Sequence, residues 1–471
     1  MITRRTRITA SILLIYFIIA LQSCGDFEEP FEMQEQTDKL VVYMNDFNTQ
    51  YLTPAINIFK DKYPDVEVEI VRFSGDSFDE REVYRTMLST ELLAGQGPDL
   101  VVEDTQFFPD IYKAMSSGVF VDLNHFIKSD DAFNLDEYNQ TALECGVFKD
   151  RRYIMPLQYN LPILLTTQEI LDAEGIDPAD LRTFDGFMRV TEQFNEKYKN
   201  NPDKSVFLNM QRNPGHIRYF LPSGIRLIDH ERGRVAIDKP KFKRVIDNII
   251  KPIYVRPEEE INFNLGDSIM EYEGLAYQDL LFCLYNAIDV LSVTTYNMLE
   301  NPSMWASATL FSYGGPAIPF EYKGFLEDSL TPLYFTYPNI NDGVTAEVRD
   351  FTAIPKSSPN QVNAYNLLKI LLSEDIQEGH TLFFGVPVLK SAVRINIINR
   401  LNLQWHIFSQ YEEKLDEYTA MLANVDSVMM TPFAPYRNFF WEELTPYFED
   451  TMSFDDAYAR LVRRLELYVS E

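Results

Sequence analysis

The sequence predicts an α/β protein built on parallel sheet, and three observations carry that expectation. From Leu40 onward, short apolar runs alternate with amphipathic helical stretches, the pattern of strand–helix–strand units with right-handed crossovers. The chain has 471 residues, too many for one core and natural for two domains. Hydrophobic residues make up 46% and aromatic residues 14%, which supplies the apolar area for such cores and excludes global disorder.

Residues 1–23 stand apart from this pattern. Arg4, Arg5 and Arg7 precede an apolar stretch from Ile8 to Ala20, shorter than the ~20 residues needed to span a bilayer and suited to a signal peptide. Ser23 then precedes Cys24. The segment resembles the lipobox of bacterial lipoproteins. That resemblance implies a signal peptide over 1–23, cleavage before Cys24, and lipidation of the Cys24 thiol with diacylglyceryl and palmitate-type acyl chains. The alternative is an ordinary secretory signal with an incidental cysteine. Residues 24–38 are acidic and aperiodic, as expected of a tether.

The fold then begins abruptly. Leu40–Met44 suits a buried parallel strand. Thr53-Pro54 offers a helix start, with Ile56, Phe59 and Tyr63 on one face until Pro64. Val66–Val71 alternates as a strand; Ser77-Phe78-Asp79-Glu80 is a capping box, and Gly95 stops the helix it opens. Asp99–Val102 reads as a third strand, and Phe108–Met115 as a third helix ended by Gly118. Ligands in such sheets sit beyond the carboxyl ends of the strands. The two loops there are Asn45-Asp46-Phe47-Asn48 and Glu103-Asp104-Thr105-Gln106. Both are rich in hydrogen-bonding groups, and helix capping is the competing account of them.

A second region opens at Tyr153–Asn160. Ile163–Thr167 reads as a strand whose following helix ends at Gly175, with further helices over 184–198, 241–251 and 277–291. Strand-like material returns at 309–315 and 345–354. Ser358-Pro359 caps a helix with Ala364, Leu367, Leu368 and Leu371 on one stripe, and 455–469 forms a closing amphipathic helix.

The formal net charge is −29, and removing 1–23 takes away three arginines and no acid. Nucleic acid and anionic lipid surfaces are thereby excluded as partners, because phosphate neutralisation needs clustered Lys and Arg. Beyond Cys24 the cysteines are Cys145 and Cys283, too few for a disulfide framework and expected to be buried hydrophobes. The five histidines show no metal-ligand spacing, Gly314-Gly315 is too short for a phosphate loop, and no Walker motif occurs. No cofactor and no metal are expected. The run Glu258-Glu259-Glu260 reads as a solvated face.

Five stretches carry a family resemblance. GQGPDLVVEDTQFFPDIYKAMSSGVFVDL (95–123) is similar to a Gly-x-Gly-Pro-Asp, apolar strand, polar loop, then small–Gly–apolar–x–Asp–Leu run. YIMPLQYNLPILLTTQEILDAEGI (153–176) resembles a crossover into a second domain, with Thr166-Thr167 where a Tyr-Asn pair is usual. DFTAIPKSSPNQVNAYNLLKILLS (350–373) resembles a return strand, Ile-Pro-Lys and helix; FFGVPVLKSAV (383–393) and DDAYARLVRRLELYVSE (455–471) complete the set. In this order they resemble extracellular solute-binding protein family 1, the sugar-binding type that includes maltose-binding protein.

The resemblance implies a two-domain, periplasmic-binding-protein-like (type II) α/β fold, each lobe a mainly parallel sheet flanked by helices. It implies an N-terminal lobe of 39–156 plus 309–346 and a C-terminal lobe of 157–308 plus 347–471, with crossings near 156–160, 305–310 and 345–352. A carbohydrate, expected to be an oligosaccharide, would bind between the lobes and pass to the permease subunits of an ABC importer. By position in the matched motifs, its contacts would be Asn45, Asp46, Glu103, Asp104, Gln106, Gln158, Tyr159, Asn160 and Tyr313. Carboxylates and amides would bond hydroxyls, and Tyr159 and Tyr313 would stack on ring faces. For each aromatic the alternative is core or hinge packing. The expected protein is a non-catalytic monomer, lipid-anchored outside a bacterial cell. The competing classes are a surface-tethered glycoside hydrolase and a sensory or adhesive lipoprotein on the same scaffold. The identity of the sugar and the role of 201–240 are not legible.

Overall fold

The computed structural model describes residues 37–45, 49–73, 78–105, 107–200, 205–207, 220–254, 309–314, 332–348, 350–379, 385–405, 412–430 and 436–471. The signal segment with Cys24, nearly all of the tether, and the expected helix over 277–291 lie outside these residues.

The first unit follows the alternation read from the sequence. Strand β1 (Lys39–Asn45), helix α1 (Thr49–Lys62), β2 (Glu67–Phe73), α2 (Phe78–Leu93), β3 (Leu100–Asp104) and α3 (Ile111–Ser117) succeed one another. β1 pairs parallel with both β2 and β3. α1 begins a turn earlier than Thr53-Pro54 suggests and carries Pro54 inside it. The reason is packing: Tyr51 and Leu52 are buried, and their burial holds the first turn despite the one backbone bond that proline removes. α3 also starts later than expected, at the Asp110 cap, whose side chain accepts from Lys113 N–H at 3.0 Å. Gly118 closes α3 at φ 68, a left-handed turn that glycine adopts without strain.

Two strands then run almost end to end, β4 (Ile154–Pro156) and β5 (Gln158–Asn160), followed by β6 (Ile163–Thr167). α4 (Phe184–Tyr198) matches the expected bounds and is capped by Thr183. The remaining strands are β7 (Ser205–Phe207), β8 (Thr309–Gly314), β9 (Pro332–Thr336), β10 (Val344–Val348), β11 (Asp350–Ala353), β12 (Val386–Pro387) and β13 (Val425–Met430). Helices α5 (Gln361–Leu371) and α7 (Phe454–Ser470) follow the expected apolar stripes, and α6 (Tyr436–Phe448), not expected from the sequence, lies between β13 and α7 in the chain.

Among the described residues the larger sheets have the orders β2-β1-β3-β11-β4, β9-β6-β8-β7 and β12-β5-β10-β13. The mainly parallel pattern holds for β1, β2 and β3. In the other two sheets β6 pairs antiparallel with β8 and β9, and β5 antiparallel with β10 and β12. β10–β11 returns the chain opposite to β4–β5, so β10 meets β5 antiparallel and β11 meets β3 and β4 antiparallel, while β10 pairs parallel with β13.

That return defines the crossings. β4 and β11 pair in the first sheet, while β5 and β10 pair in the third. The segments β4–β5 and β10–β11 therefore each pass from one sheet to the other, the former through Leu157. Leu157 N–H donates to Asp350 O at 2.9 Å, and Leu157 O accepts from Gln377 Nε2 at 3.2 Å. The crossings expected near 156–160 and 345–352 coincide with these strands. At the one expected near 305–310, residues 309–310 already lie within β8.

β8, β9 and β10 pair with β6 and β5, whereas β11 joins β3 and α5 packs against α1. Hydrophobic pattern identifies a strand but not the sheet that receives it.

A buried polar node ties the first sheet to α5. Asp99 accepts from Val41 N–H (2.7 Å), Ser358 Oγ (2.6 Å) and Asn360 Nδ2 (3.1 Å). Ser358 thus serves this node rather than capping α5. Asn360 also donates to Lys39 O and accepts from Thr37 N–H, so the last tether residues are pinned to the body. Asp99→Ala would leave three donors without their acceptor and should cost about 2–4 kcal/mol of unfolding free energy. Urea denaturation measures this, and an unchanged midpoint would contradict the node.

Candidate functional site

The carboxyl edge of the first sheet brings together β1 ending at Asn45, β3 ending at Glu103 and Asp104, and β11 starting at Asp350. The crossing Pro156–Gln158 lies beside them. Glu103 and Asp104 are the last residues of a fully buried strand, at 0% and 6% exposure. They are not on an exposed loop, because β11 pairs with β3 as far as Asp104 and extends the ladder over them.

Their charges are held by neighbours from three elements. Glu103 accepts from Tyr84 Oη of α2 at 2.5 Å; burial, then the Glu103 charge, push that phenol well above its ordinary value. Asp104 stands directly opposite Asp350, an arrangement in which like charges repel. Gln158 Nε2 donates to Asp350 Oδ2. Arg81 and Arg85 of α2 are both buried. Burial lowers the Arg85 pKa, while Glu82, to which it donates, and Asp104 oppose that shift.

Several hydrogen-bonding atoms here remain unspent. Tyr51 Oη, Thr105 Oγ1, Gln158 Oε1 and Asn160 Oδ1 are all buried without a partner. A Cβ added at Gly385 would lie 2.7 Å from Gln158 Oε1 and 3.1 Å from Asn160 Oδ1, so both amide oxygens crowd the backbone at that glycine. Buried polar atoms are ordinarily paired, and such a concentration marks a place built to meet hydroxyls or water.

Glu103, Asp104, Gln158 and Asn160 of the nominated residues therefore lie at this edge and its crossing, and Asn45 closes β1 there. Tyr159 does not join them. Side chains alternate along a strand, so Tyr159 faces away from Gln158 and Asn160; it is buried, and its hydroxyl accepts from Asn139 Nδ2 at 3.1 Å. Burial pushes that phenol up to about 12. Tyr159 is a packing residue. Tyr313 lies in β8 opposite Leu164, away from this edge in the pairing order. Asp46 and Gln106 lie outside the described residues. Trp441 packs edge-on against Phe440 and Phe448.

Tyr51, Arg81, Arg85 and Asp350 were missed. Asp350 had a signal, an acid heading an apolar strand, and Tyr51 had another, an aromatic with a polar tip in the first turn after β1.

Two larger cavities lie elsewhere. One of about 520 Å³ is bounded by α3, the 228–235 hairpin and the end of α7; another of about 260 Å³ adjoins it. Both are lined by Tyr112, Phe148, Ile228 and His230, and neither by a nominated residue. His230 stacks on Tyr112 with centroids 3.7 Å apart. Cys145 lines the smaller one, and burial raises its thiol pKa, as expected of a cysteine without redox chemistry. Among the described residues no group of His, Cys, Asp or Glu is arranged to hold a metal ion, and no helix is long and apolar enough to cross a membrane.

Burial lowers the His230 pKa from 6.5 to about 4. The unfolded chain then binds the extra proton first, so this contribution is intact above pH 6.5 and lost as pH falls toward 4. The stability difference between pH 7 and pH 4.5 should shrink by about 1–3 kcal/mol in His230→Gln. Urea titrations at the two pH values test this; equal differences in both proteins would contradict it.

Residues 44–212 match the family described as bacterial extracellular solute-binding protein. Comparison with curated proteins finds no match. Among solved structures, a periplasmic solute-binding protein from Pectobacterium atrosepticum is similar with a TM-score of 0.57 at 16% identity, covering 92% of this chain and 98% of that one. The sugar-binding protein MalE from Xanthomonas citri gives 0.60 at 14% identity, covering 92% and 97%. A periplasmic oligogalacturonide-binding protein from Yersinia enterocolitica gives 0.58 at 15% identity, covering 92% and 99%. At these identities the likeness concerns the fold, which is the two-lobed periplasmic-binding-protein type.

Proposed function

We propose, for a chain whose residues 44–212 carry the bacterial extracellular solute-binding protein family, that it captures an oligosaccharide and hands it to an ABC importer. The observation that carries this is the set of buried, unspent polar atoms at the carboxyl edge, beside two strands that cross between sheets. Carboxylates there accept from sugar hydroxyls, amide and phenol groups both donate and accept, and side-by-side crossing strands suit a hinge. The solved relatives named above include one that binds sugar and one that binds oligogalacturonide. The family and these relatives are binding proteins rather than enzymes.

In this reading Cys24 carries the lipid that holds the chain at the outer face of a bacterial membrane. Residues 24–36 act as the spacer, permease subunits are the membrane partners, and the protein works as a monomer. Glu103, Asp104, Gln158 and Asn160 contact the sugar, with Asn45, Asp46, Gln106 and Tyr313 completing the site.

The test is a glycan-array and thermal-shift screen on residues 38–471. At least one oligosaccharide should raise the melting temperature and be recovered intact; shortened products would favour a hydrolase. Asn160→Ala should weaken that binding about tenfold, the worth of one to two hydrogen bonds, with the melting temperature unchanged or raised. Unaltered affinity would remove Asn160 from the site. In the cell, Cys24→Ser should move the protein from the membrane fraction to the medium, and continued membrane association would contradict the anchor.

A further inference from the structure

Tyr51 occupies a position that packing alone does not explain. It stands in the first turn of α1 with 3% of its surface exposed, and its hydroxyl has no hydrogen-bond partner. The charges of Asp350, Glu103 and Asp104, in that order, act on the phenol after burial itself. Phenylalanine would fill the same volume without stranding a polar atom, so the hydroxyl is a cost that the fold alone does not repay. A second unspent atom lies at the same cluster: Gln158 is equally buried, its Nε2 bonded to Asp350 while its Oε1 lacks a partner.

We propose that Tyr51 contacts the ligand, and that with Glu103, Asp104 and Asp350 it restricts the ligand to a sugar whose bound end carries hydroxyls and no carboxylate. The inference rests on the oligosaccharide-binding reading above and narrows its substrate class. A sugar hydroxyl accepts from the Tyr51 phenol while donating to a neighbouring carboxylate, so one group satisfies both partners. The carboxylate of a uronate can only accept. It would also enter a cluster where Glu82, Glu103, Asp104 and Asp350 outnumber Arg81 and Arg85. A like charge within about 6 Å, at the effective dielectric of a protein site, weakens binding about 100-fold.

The experiment is an array of neutral and uronate oligosaccharides probed with the wild-type protein, followed by titration calorimetry of the best binder on wild type and Tyr51→Phe. Neutral glycans should dominate, and Tyr51→Phe should weaken the best of them about 5–30-fold at an unchanged or higher melting temperature. Absence of binding to every glycan would fail the receptor reading itself. Preference for uronates would overturn the charge selection while leaving the receptor standing. Equal affinity of Tyr51→Phe and wild type would remove the phenol from the site, and a fall in melting temperature without loss of affinity would make it a packing residue.

Discussion

The interaction on which the site depends is the buried hydrogen bond from Gln158 to Asp350. Asp350 stands opposite Asp104 across the β3–β11 ladder, and two carboxylates so placed in a buried strand pair repel each other. The amide of Gln158 compensates one of them. It does so across the crossing, since Gln158 begins β5 in one sheet and Asp350 begins β11 in another. One bond thus links the charge balance of this edge to the strands that pass between the two sheets.

The rest of the edge follows from that constraint. Burying acids requires counter-charges and donors, and α2 supplies Arg81, Tyr84 and Arg85 from one face. Among the uncharged groups, the phenol of Tyr51, the hydroxyl of Thr105 and the amide oxygens of Gln158 and Asn160 lack a partner. A site of this kind, rich in acceptors and backed by fixed charge, suits a ligand with many small hydroxyl dipoles. The cavities around Tyr112 and His230 mix aromatic and aliphatic walls with charged groups such as Asp110, Lys113, Glu144 and Arg226, and none of the nominated residues lines them.

Much of the fold was legible because helix and strand periods are local. The helix expected around 184–198 and the strand expected at Ile163–Thr167 match the observed bounds, since an apolar pattern is a local signal. The site was legible only in part. Glu103 and Asp104 look like loop residues because they are acids following three apolar residues, and nothing local says that a strand 250 positions later will cover them. Tyr159 looked like a stacking plate because its composition suits one; strand alternation turns it to the other face. Asp350 and Tyr51 become site residues only through pairing and helix docking. Sheet membership is likewise non-local: β10 and β11 are nearly contiguous in the chain yet join different sheets.

Hydrogen–deuterium exchange with and without the best-binding oligosaccharide tests the central claim most directly. The account predicts slowed exchange in three separated segments, around 103–105, 157–160 and 350–352, because the ligand and the crossing strands are ordered together. Protection confined to segments around Tyr112 and His230, with these three unchanged, would place the ligand in the other cavities and contradict it.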